Sequence, residues 1–596
     1  MQCSIDARTD LFSFGVVLYE MATGTLPFRG DTSGVIFESI LNRAPTPAIR
    51  LNPDVPPKLE EVITKALEKD RDVRCQSAAE LRADLKRLKR DTESGKTMPR
   101  SAAIRPRSRW LIMIGILALV IALVAGGAFY LNHGRDRIDS VAVLPFVNTG
   151  GDPNLEYLSD GITDSLMDSL SQLTDIRVVS RTSAFRYKGK EAQPRTVARD
   201  LGVRAVVSGR VTQRGDVLTI STELVDTSND RQIWGKQYNG KLTDTITLQQ
   251  EIATNISEKL LSSRKQPNSG ALKHYTDNSE AYQAYLKGRY FWNRGSEESL
   301  SKAIQYFSDA IRLDSGYAPA YAGIADSYLD LALYDIQSPT EALPKAKAAA
   351  MRAVELDPTL AEAHTALGTV NWGYEWDFRT AESEFRKAVE LNPTSTIAHD
   401  RYSTYLATMG RFEEAIAEGK RAQQLDPLSQ NTVLGYVYTL AHRYAEALPW
   451  YKKGFELDPI INGLTEAEMT WTYAFGGSCT DAIAEYEKMS NPPTPAEDQL
   501  VSGGMGFVYA VCGRRRQTLD IIAQFKRLAQ NRYVDAYMVA AMYTGLGNKD
   551  HAFEWLNKAY EDRSSSIPFV KVDPFFDALH SDPRFQDLLR RIGLPQ

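Results

Sequence analysis

An apolar run at residues 110–131, from Trp110 to Leu131, constrains this chain more than any other feature. Its 22 residues carry no charged side chain. At 1.5 Å per residue, a helix of this length covers the roughly 30 Å hydrocarbon core of a bilayer. A helix on the surface of a soluble domain has a polar stripe, which this run lacks. The run therefore predicts a single transmembrane helix, and with it a contact with membrane lipid.

The charges that flank this run predict its orientation. Residues 81–109 carry ten Lys or Arg against three acids, whereas residues 132–160 carry two Arg. An excess of this size marks the cytoplasmic side of a membrane. We therefore expect a single-pass protein with a cytoplasmic N-terminus and with residues 132–596 on the other side. Ala118, Ala122 and Gly126 form a stripe of small residues, which leaves a homodimer open.

The composition argues against several classes of function. The 596 residues include 70 basic and 75 acidic side chains, so nothing favours a nucleic-acid partner. The four cysteines and seven histidines show no metal-ligand spacing, and we predict no metal site. Cys479 and Cys512 fall on the predicted outer side, where a disulfide is permitted. Two free buried thiols are the interpretation that the sequence favours, and the pairing stays open.

Residues 1–90 are predicted to be helical. Residues 10–24 are apolar on nearly every face, whereas residues 59–70 and 77–90 are amphipathic. DARTDLFSFGVVLYEMATGTLPFRG, followed by ALEKDRDVRCQSAAELRADL, resembles the end of the C-lobe of bacterial serine/threonine protein kinases. The resemblance implies that Asp10 matches the Asp that holds the catalytic loop, and that Arg74 matches the Arg that pairs with the Glu of the A-P-E motif. It also implies that the predicted membrane is the bacterial cytoplasmic membrane.

The motifs that carry kinase catalysis are missing from this sequence. It has no Gly-rich phosphate loop, VAIK-type lysine, HRD, DFG or APE motif, and these parts bind ATP and Mg²⁺ and position the attacking hydroxyl. We therefore predict no catalytic, cofactor-binding or metal-binding residue, and a need for ATP and Mg²⁺ only if a full kinase domain exists upstream.

The incomplete lobe has a physical cost. Arg74 is expected to lack its carboxylate, and apolar side chains such as Leu11, Phe14 and Val17 are expected to be exposed. Two explanations follow: a poorly folded fragment, or a gene that begins upstream of Met1. We favour the second.

Residues 91–109 are polar, basic and proline-containing, which predicts a flexible juxtamembrane linker. Residues 138–262 predict an α/β domain whose first strand is SVAVLPF (residues 140–146). A helix, a strand, a short helix, three antiparallel strands and a closing helix follow. This order, with YLSDGITDSLMDSL and QIWGKQY, resembles the small domain related to the N-terminal part of TolB. We see no catalytic arrangement in it, and expect a hairpin turn at residues 214–216.

Residues 278–563 repeat with a period near 34 residues. The leucines of LDSGY, LDP, LNP, LDP and LDP stand at positions 313, 356, 391, 425 and 457. Small, aromatic and proline residues recur within the units: Ala381, Phe385, Ala388 and Pro393; Ala415, Ala422 and Pro427; Ala447, Tyr451 and Pro459. The pattern resembles the tetratricopeptide repeat, in which small residues let paired helices approach closely and an aromatic fills the gap to the next pair. The resemblance implies a concave surface for a protein or peptide ligand.

The predicted fold class is multidomain: an α-helical kinase C-lobe fragment, a transmembrane helix, a small α/β domain and an α-solenoid. Residues 564–596 are predicted to cap the last helix pair, and Trp372, Tyr374 and Trp376 to belong to the core. Two functions remain. The first is a membrane protein whose outer α/β domain and repeats bind a protein partner, joined to a catalytically incomplete kinase part. The second is the C-terminal portion of an active membrane-bound serine/threonine kinase in signal transduction.

Overall fold

The computed structural model of this chain describes residues 7–28, 39–40, 43–70, 73–94, 138–151, 155–173, 176–261, 273–428, 432–457, 463–488 and 493–594. They belong to two compact units, Met1–Ala125 and Gly126–Gln596. Most of the described chain is helical, and one mixed sheet lies in the second unit.

The structure contradicts the predicted transmembrane helix and the predicted single-pass membrane location. None of the helices in the described ranges is long and apolar enough to cross a membrane. The longest of them, Pro339–Leu356, has 18 residues. It carries exposed charged side chains such as Glu341 and Lys345, because one of its sides faces water. The run at residues 110–131 lies outside the described residues.

Four helices make up the described part of the first unit: α1 (Ala7–Thr23), α2 (Ala48–Leu51), α3 (Pro57–Ala66) and α4 (Ala78–Ser94). Helix α1 packs on α3. Tyr19 is buried between them and donates a hydrogen bond to the carbonyl of Thr46 at 2.7 Å. Phe14 and Val17 are 43% and 49% exposed, whereas Leu11 is buried. Of the three side chains named above, Phe14 and Val17 are therefore exposed as expected, and Leu11 is not.

The second unit begins with an α/β domain built on one sheet. Its strands are β1 (Ser140–Val143), β2 (Val147–Asn148), β3 (Arg177–Val178), β4 (Ala205–Arg214), β5 (Val217–Asp226) and β6 (Arg231–Lys241). The order is β3-β1-β4-β5-β6, and β2 also pairs with β4. The pairs made by β1 and β2 are parallel, and β4–β5 and β5–β6 are antiparallel. The helices are α5 (Glu156–Ser171), α6 (Arg181–Phe185), α7 (Pro194–Leu201) and α8 (Thr245–Leu261).

The strand predicted at residues 140–146 is interrupted. Pro145 has no N–H for a neighbouring strand and restricts the residue before it, so β1 ends at Val143 and β2 begins at Val147. The N–H of Phe146 donates instead to the hydroxyl of Thr163 on α5, at 3.0 Å. The expected hairpin turn is present, with Gly215 at φ +59° between β4 and β5.

Eight helix pairs follow in the described residues, and the two helices of each pair pack on each other. The pairs are α9 (Ser279–Trp292) with α10 (Glu297–Leu313), α11 (Ala318–Leu333) with α12 (Pro339–Leu356), α13 (Ala361–Val370) with α14 (Phe378–Leu391), α15 (Thr396–Thr408) with α16 (Phe412–Leu425), α17 (Val433–Leu440) with α18 (Tyr444–Leu457), α19 (Gly463–Phe475) with α20 (Cys479–Tyr486), α21 (Gln499–Val511) with α22 (Arg515–Leu528), and α23 (Ala536–Gly545) with α24 (Lys549–Glu561). A π-helical turn, Asn371–Glu375, extends α13. After α24 come two 3₁₀ turns, Ile567–Phe569 and Pro574–Leu579, and α25 (Pro583–Ile592).

Aromatic side chains of the second helices lie against glycines of the first helices. Phe307 on α10 is fully buried, and a Cβ placed on Gly323 of α11 would lie 2.5 Å from its ring. A Cβ on Gly288 of α9 would lie equally close to the same ring. Only glycine permits this approach at both positions. The same contact recurs where Phe385 meets Gly368 and Tyr451 meets Gly435.

The α/β domain and the first helix pair share one hydrophobic core. Helix α5 packs on α9, where a Cβ on Gly161 would lie 2.9 Å from the Leu286 side chain. The hydroxyl of Tyr282 donates to Ser165 Oγ at 2.8 Å. A second contact lies farther along the array, where the N–H of Leu428 donates to Ser183 Oγ at 2.9 Å. The sheet domain is therefore built into the end of the array.

Cys479 and Cys512 form a disulfide, with 5.5 Å between their Cα atoms. Cys479 begins α20 and Cys512 follows the end of α21, so the bond joins the sixth helix pair to the seventh. The interpretation of two free thiols is therefore wrong. A separation of 33 residues carries no signal in the sequence, and it is the packing of the two pairs that brings the thiols together. Cys75 in the first unit is buried with a free thiol.

We expect Gly323→Ala to destabilise the second unit. The added methyl would overlap the buried ring of Phe307, and overpacking of this kind costs about 1–3 kcal/mol. Gly373→Ala is the matched control, because a Cβ there meets no atom within 4 Å. Thermal unfolding followed by circular dichroism checks this: the Tm of Gly323→Ala should fall and that of Gly373→Ala should not. Equal Tm values for the two variants would contradict the packing described.

Replacing both cysteines of the disulfide should also lower stability. A cross-link of this loop length contributes about 2–4 kcal/mol, so Cys479→Ala/Cys512→Ala should melt earlier than the wild type. Peptide mapping without reductant should find the two cysteines in one linked pair. Cys75→Ala is the control and should leave that linked pair intact. A wild-type map with both thiols alkylated would contradict the disulfide.

Candidate functional site: the first-helix face of the repeat array

The first helices of successive pairs touch one another and form one continuous layer. Contacts join α9 to α11, α11 to α13, α13 to α15, α15 to α17, α19 to α21 and α21 to α23. A hydrogen bond of 3.0 Å between the hydroxyls of Thr439 and Thr472 joins α17 to α19. We call the surface of this layer the first-helix face. It divides into two parts that differ in chemistry: a proximal part on α9, α11, α13 and α15, and a distal part on α17, α19, α21 and α23.

The proximal part carries a cluster of charged side chains. Helix α5 of the α/β domain supplies Asp164 and Asp168, and the array supplies Arg289, Asp326, Asp330, Glu362 and Arg401. The charges of Arg289 and Glu362 influence the pKa of Asp168. The pKa of Asp326 responds to the charges of Arg289, Asp330, Glu362 and Arg401. Together with Arg181, which belongs to the same cluster, five carboxylates face three guanidinium groups. We call this set the charged cluster.

Some members of the cluster are fixed by hydrogen bonds. Arg181 Nε lies 2.8 Å from Asp164 Oδ1, and Asn293 Nδ2 donates to Asp164 Oδ2 at 3.3 Å. Trp292 Nε1 donates to Asp330 Oδ2 at 2.8 Å. Asp164 is thus held between α5 and α9, and Asp330 between α9 and α11. These bonds set the positions of the carboxylates before any ligand binds.

The carboxylates of the cluster differ in their exposure to water: Asp164 is buried, Asp326, Asp330 and Glu362 are half-buried, and Asp168 is exposed. Surrounding protein raises the pKa of Asp168 to about 6, and the nearby Arg289 offsets this only in part. Because Asp168 is exposed, water screens part of this effect. Burial and then repulsion from Asp330 raise the pKa of Asp326 to about 7. The charged form of Asp326 is therefore the costlier of the two.

The distal part is covered by the chain itself. Residues 564–580, which we call the return segment, follow α24 and lie against the first helices. The ring centroid of Phe569 lies 5.3 Å from Trp372 and 5.7 Å from Tyr436. That of Phe575 lies 5.6 Å from Trp471, 5.1 Å from Phe475 and 4.8 Å from Phe507. The return segment therefore reaches from the π-helical turn across α17, α19 and α21.

Polar contacts hold the return segment at both ends and in the middle. Ser564 Oγ and Ser566 Oγ donate to the carboxylate of Asp535, which precedes α23, at 2.7 and 2.9 Å. The hydroxyl of Tyr537 donates to Asp573 Oδ2 at 2.8 Å. His442 Nε2 lies 3.0 Å from Asp577 Oδ2. The segment thus contacts more of the array than the last helix pair alone.

The two kinase-family positions lie in the first unit. Asp10 falls within α1, and its side chain is not described. Arg74 Nε donates to the carbonyl of Glu68 at 2.6 Å and Nη2 to that of Lys69 at 3.1 Å. Its guanidinium also lies 4.8 Å from the ring of Phe12. Arg74 therefore donates to main-chain carbonyls, and the expectation that it lacks the carboxylate of the A-P-E motif stays a prediction.

The repeat-signature residues lie at the contacts between helices. Seven of them are fully buried: Ala381, Phe385, Ala388, Ala415, Ala422, Ala447 and Tyr451. Pro393 lies just after α14, and its carbonyl accepts from His399 Nε2 at 3.1 Å. Pro427 lies just after α16, and Pro459 falls outside the described residues. None of them belongs to the charged cluster or to the return segment.

Sequence analysis missed the charged cluster, although part of its signal was present. Asp160, Asp164 and Asp168 recur at steps of four along α5, on a side different from that of the leucines. Such spacing predicts an acidic stripe on one side of a helix. Trp372 is 5% exposed, as expected of a core residue, but its neighbour Phe569 comes from almost 200 residues later. No pattern in the sequence indicates that contact.

Comparison with known proteins gives partial similarities. The family model described as the second domain of HilA/YgeH-like transcriptional regulators matches residues 137–255, where the sequence had suggested a TolB-like domain. A protein named "Putative adenylate cyclase 3" of Rhizobium meliloti is 28% identical over 250 residues, which are 41% of this chain and 42% of that protein. The serine/threonine-protein kinase PknB of Mycolicibacterium smegmatis is 46% identical over 85 residues, 14% of each chain. The chain thus spans less than half of either relative.

Solved structures that resemble the chain include tetratricopeptide repeat proteins. The PilF structure from Pseudomonas aeruginosa is 23% identical, with a TM-score of 0.27, over 35% of this chain and 94% of that one. YrrB, described as a TPR protein with an unusual peptide-binding site, is also 23% identical, with a TM-score of 0.21, over 30% of this chain and 88% of that one. The findings therefore give this chain a partial kinase-like similarity and TPR-like neighbours.

Proposed function

We propose that this chain binds a protein or peptide along the proximal part of the first-helix face, and that the charged cluster contacts a cationic part of that ligand. The observation that carries the proposal is the position of the cluster. Its members lie on four consecutive first helices and on α5 and α6 of the α/β domain, so an extended segment could touch several in turn. TPR-like neighbours support protein or peptide binding in general.

The sign of the charge supports a cationic ligand. Five carboxylates and three arginines give a net charge of −2 when all are ionised. Burial raises the pKa of Asp168 and of Asp326, so each carboxylate is destabilised in its charged form. A lysine or arginine placed between them would favour that form, and the low local dielectric strengthens the attraction. An anionic ligand would instead further destabilise the charged form of these carboxylates.

A second candidate function is part of a serine/threonine phosphorylation system. The 46% identity to PknB over 85 residues favours it. Because this sequence has no Gly-rich loop, HRD or DFG motif, we expect no phosphate transfer by this chain alone. Incubation of the purified chain with radiolabelled ATP, Mg²⁺ and a basic protein substrate tests this. Incorporation above a heat-treated control would favour the enzymatic function over the binding function.

We expect ligand binding to depend on Asp168 and Asp326. Peptides selected by the full chain from a random displayed library should be enriched in Lys and Arg. Asp168→Asn/Asp326→Asn should weaken their binding about tenfold or more, since each lost ion pair in a poorly solvated site contributes about 1 kcal/mol or more. Glu341→Gln/Glu355→Gln on the exposed side of α12 is the matched control. Selected peptides without basic residues, or equal binding by the two double variants, would contradict the proposal.

The same substitution should raise stability at high pH. The pKa of Asp168 is about 6 and that of Asp326 about 7 in the folded chain, above the 3.8 of an unfolded Asp. The folded state therefore binds more protons, and these groups reduce stability progressively as the pH rises from about 4 to 7. Asp168→Asn/Asp326→Asn removes the two titrating carboxylates and therefore removes this loss of stability with rising pH. Its Tm should match that of the wild type near pH 4 and exceed it at pH 8, and a gap independent of pH would contradict the account.

A further inference from the structure

The return segment is the strongest candidate for a further function, because it lies where a ligand of a repeat array would lie. All of its aromatic contacts described above are to first helices or to the π-helical turn that extends one of them. It reaches this position through a tight reversal after α24, in which Arg563 adopts φ +55°. Arg563 Nη1 donates to the carbonyl of Tyr374 at 2.8 Å, and its guanidinium lies 4.1 Å from the Trp376 ring.

The contacts have the character of a docked peptide. Apart from two 3₁₀ turns, the segment has no regular structure. In the part of the chain that is described, its polar contacts with the array run through side chains: Ser564 and Ser566 to Asp535, Asp573 to Tyr537, and Asp577 to His442. Its main-chain hydrogen bonds are local, such as Val570 N to Ile567 O at 3.1 Å. Recognition of the return segment by the array therefore depends on the identity of the side chains at a few positions of the segment.

The fit between the segment and the array is incomplete. A pocket of about 320 Å³ that is open to solvent lies beside Phe575 and is lined also by Tyr444, Phe475, Phe507 and Asp577. Trp471 is 4% exposed, and its Nε1 has no hydrogen-bond partner among the described groups. A buried N–H without a hydrogen-bond partner destabilises this arrangement. A different segment could fill the space and improve on the contacts that the return segment makes.

We propose that the distal part of the first-helix face is a second binding surface, and that the return segment occupies it as an intramolecular ligand which a partner segment of the same chemistry replaces. That chemistry is an aromatic residue, an Asp four positions later and, after one intervening residue, two adjacent aromatics, as in Phe569, Asp573, Phe575 and Phe576. The Asp meets the hydroxyl of Tyr537 and the last aromatic lies 4.8 Å from the ring of the same residue. The surface differs from the charged cluster, so the proposal stands independently of the function proposed above.

The covalent link gives the return segment an advantage over any partner. A short connection to α24 raises its effective concentration to about the millimolar range. A free peptide of the same sequence should therefore bind the wild type poorly. Weakening the segment without changing the array should expose the surface and strengthen that binding.

The test uses the full chain and a fluorescent peptide with the sequence of residues 564–580. In Phe569→Ala/Phe575→Ala the return segment loses its two aromatic anchors, and fluorescence polarisation should show the peptide binding about tenfold or more tighter than to the wild type. Leu333→Ala/Tyr334→Ala removes two exposed apolar side chains at the end of α11 and should bind like the wild type. A peptide with Lys at the position of Asp573 should bind neither. Equal binding by both double variants and the wild type would overturn the proposal.

Hydrogen exchange on the wild type provides a test that needs no variant. If the return segment leaves its surface while the array stays folded, its amides should exchange about tenfold or more faster than those of α21 and α23. Addition of the peptide in excess should accelerate exchange at residues 564–580 and leave α21 and α23 unchanged. Exchange of the segment at the same rate as α21 and α23 would show that it belongs to the core of the array, and would also overturn the proposal.

Discussion

No helix pair of this array can bury its apolar side alone, and close contacts between aromatic rings of the second helices and glycines of the first helices set the spacing of neighbouring helices. Phe307 shows this most directly, since it lies on α10 and contacts glycines of α9 and α11 at once. A side chain at either glycine would push the helices apart. The positions of the first helices at these contacts, and with them the first-helix face, depend on this spacing.

The face that results has two parts because two different elements lie against it. Helix α5 faces the proximal part and contributes carboxylates to it, whereas the return segment faces the distal part and contributes aromatic rings. The first arrangement leaves charged groups with few compensating partners, and burial raises the pKa of Asp326 to about 7. The second leaves a solvent-open pocket beside Phe575 and a buried indole N–H without a partner among the described groups. Both are unfavourable in the isolated chain, and binding sites commonly retain such costs.

Much of the fold could be predicted from the sequence because its signals are local. The period near 34 residues and the buried alanines of the second helices follow from neighbouring turns of the same helices, and the strand alternation in β5 follows from adjacent residues. Pro145 carried a local signal too, and weighing it would have divided the strand at residues 140–146. The transmembrane helix was argued from local hydropathy, and the described helices do not contain such a span.

The candidate site could not be predicted in the same way, because it joins residues that are far apart in the chain. No sequence period relates Trp372 to Phe569 or Ser183 to Leu428. Whether the residues of each of these pairs come into contact depends on how many helix pairs lie between them in the chain. The disulfide between Cys479 and Cys512 has the same origin. Only the acidic stripe of α5 could be recognised from neighbouring residues in the sequence. The stripe alone does not indicate which helix it faces.

The contact of α5 with α9 has a consequence for how such a chain can change over time. Solenoids need a terminal element that shields the first repeat from water, and here a helix of the sheet domain fills that role, with Gly161 pressed against Leu286. Replacement of either α5 or α9 by the corresponding helix of another protein would leave two surfaces that do not fit each other. The sheet domain and the opening repeat are thus tied to one another as a single heritable piece.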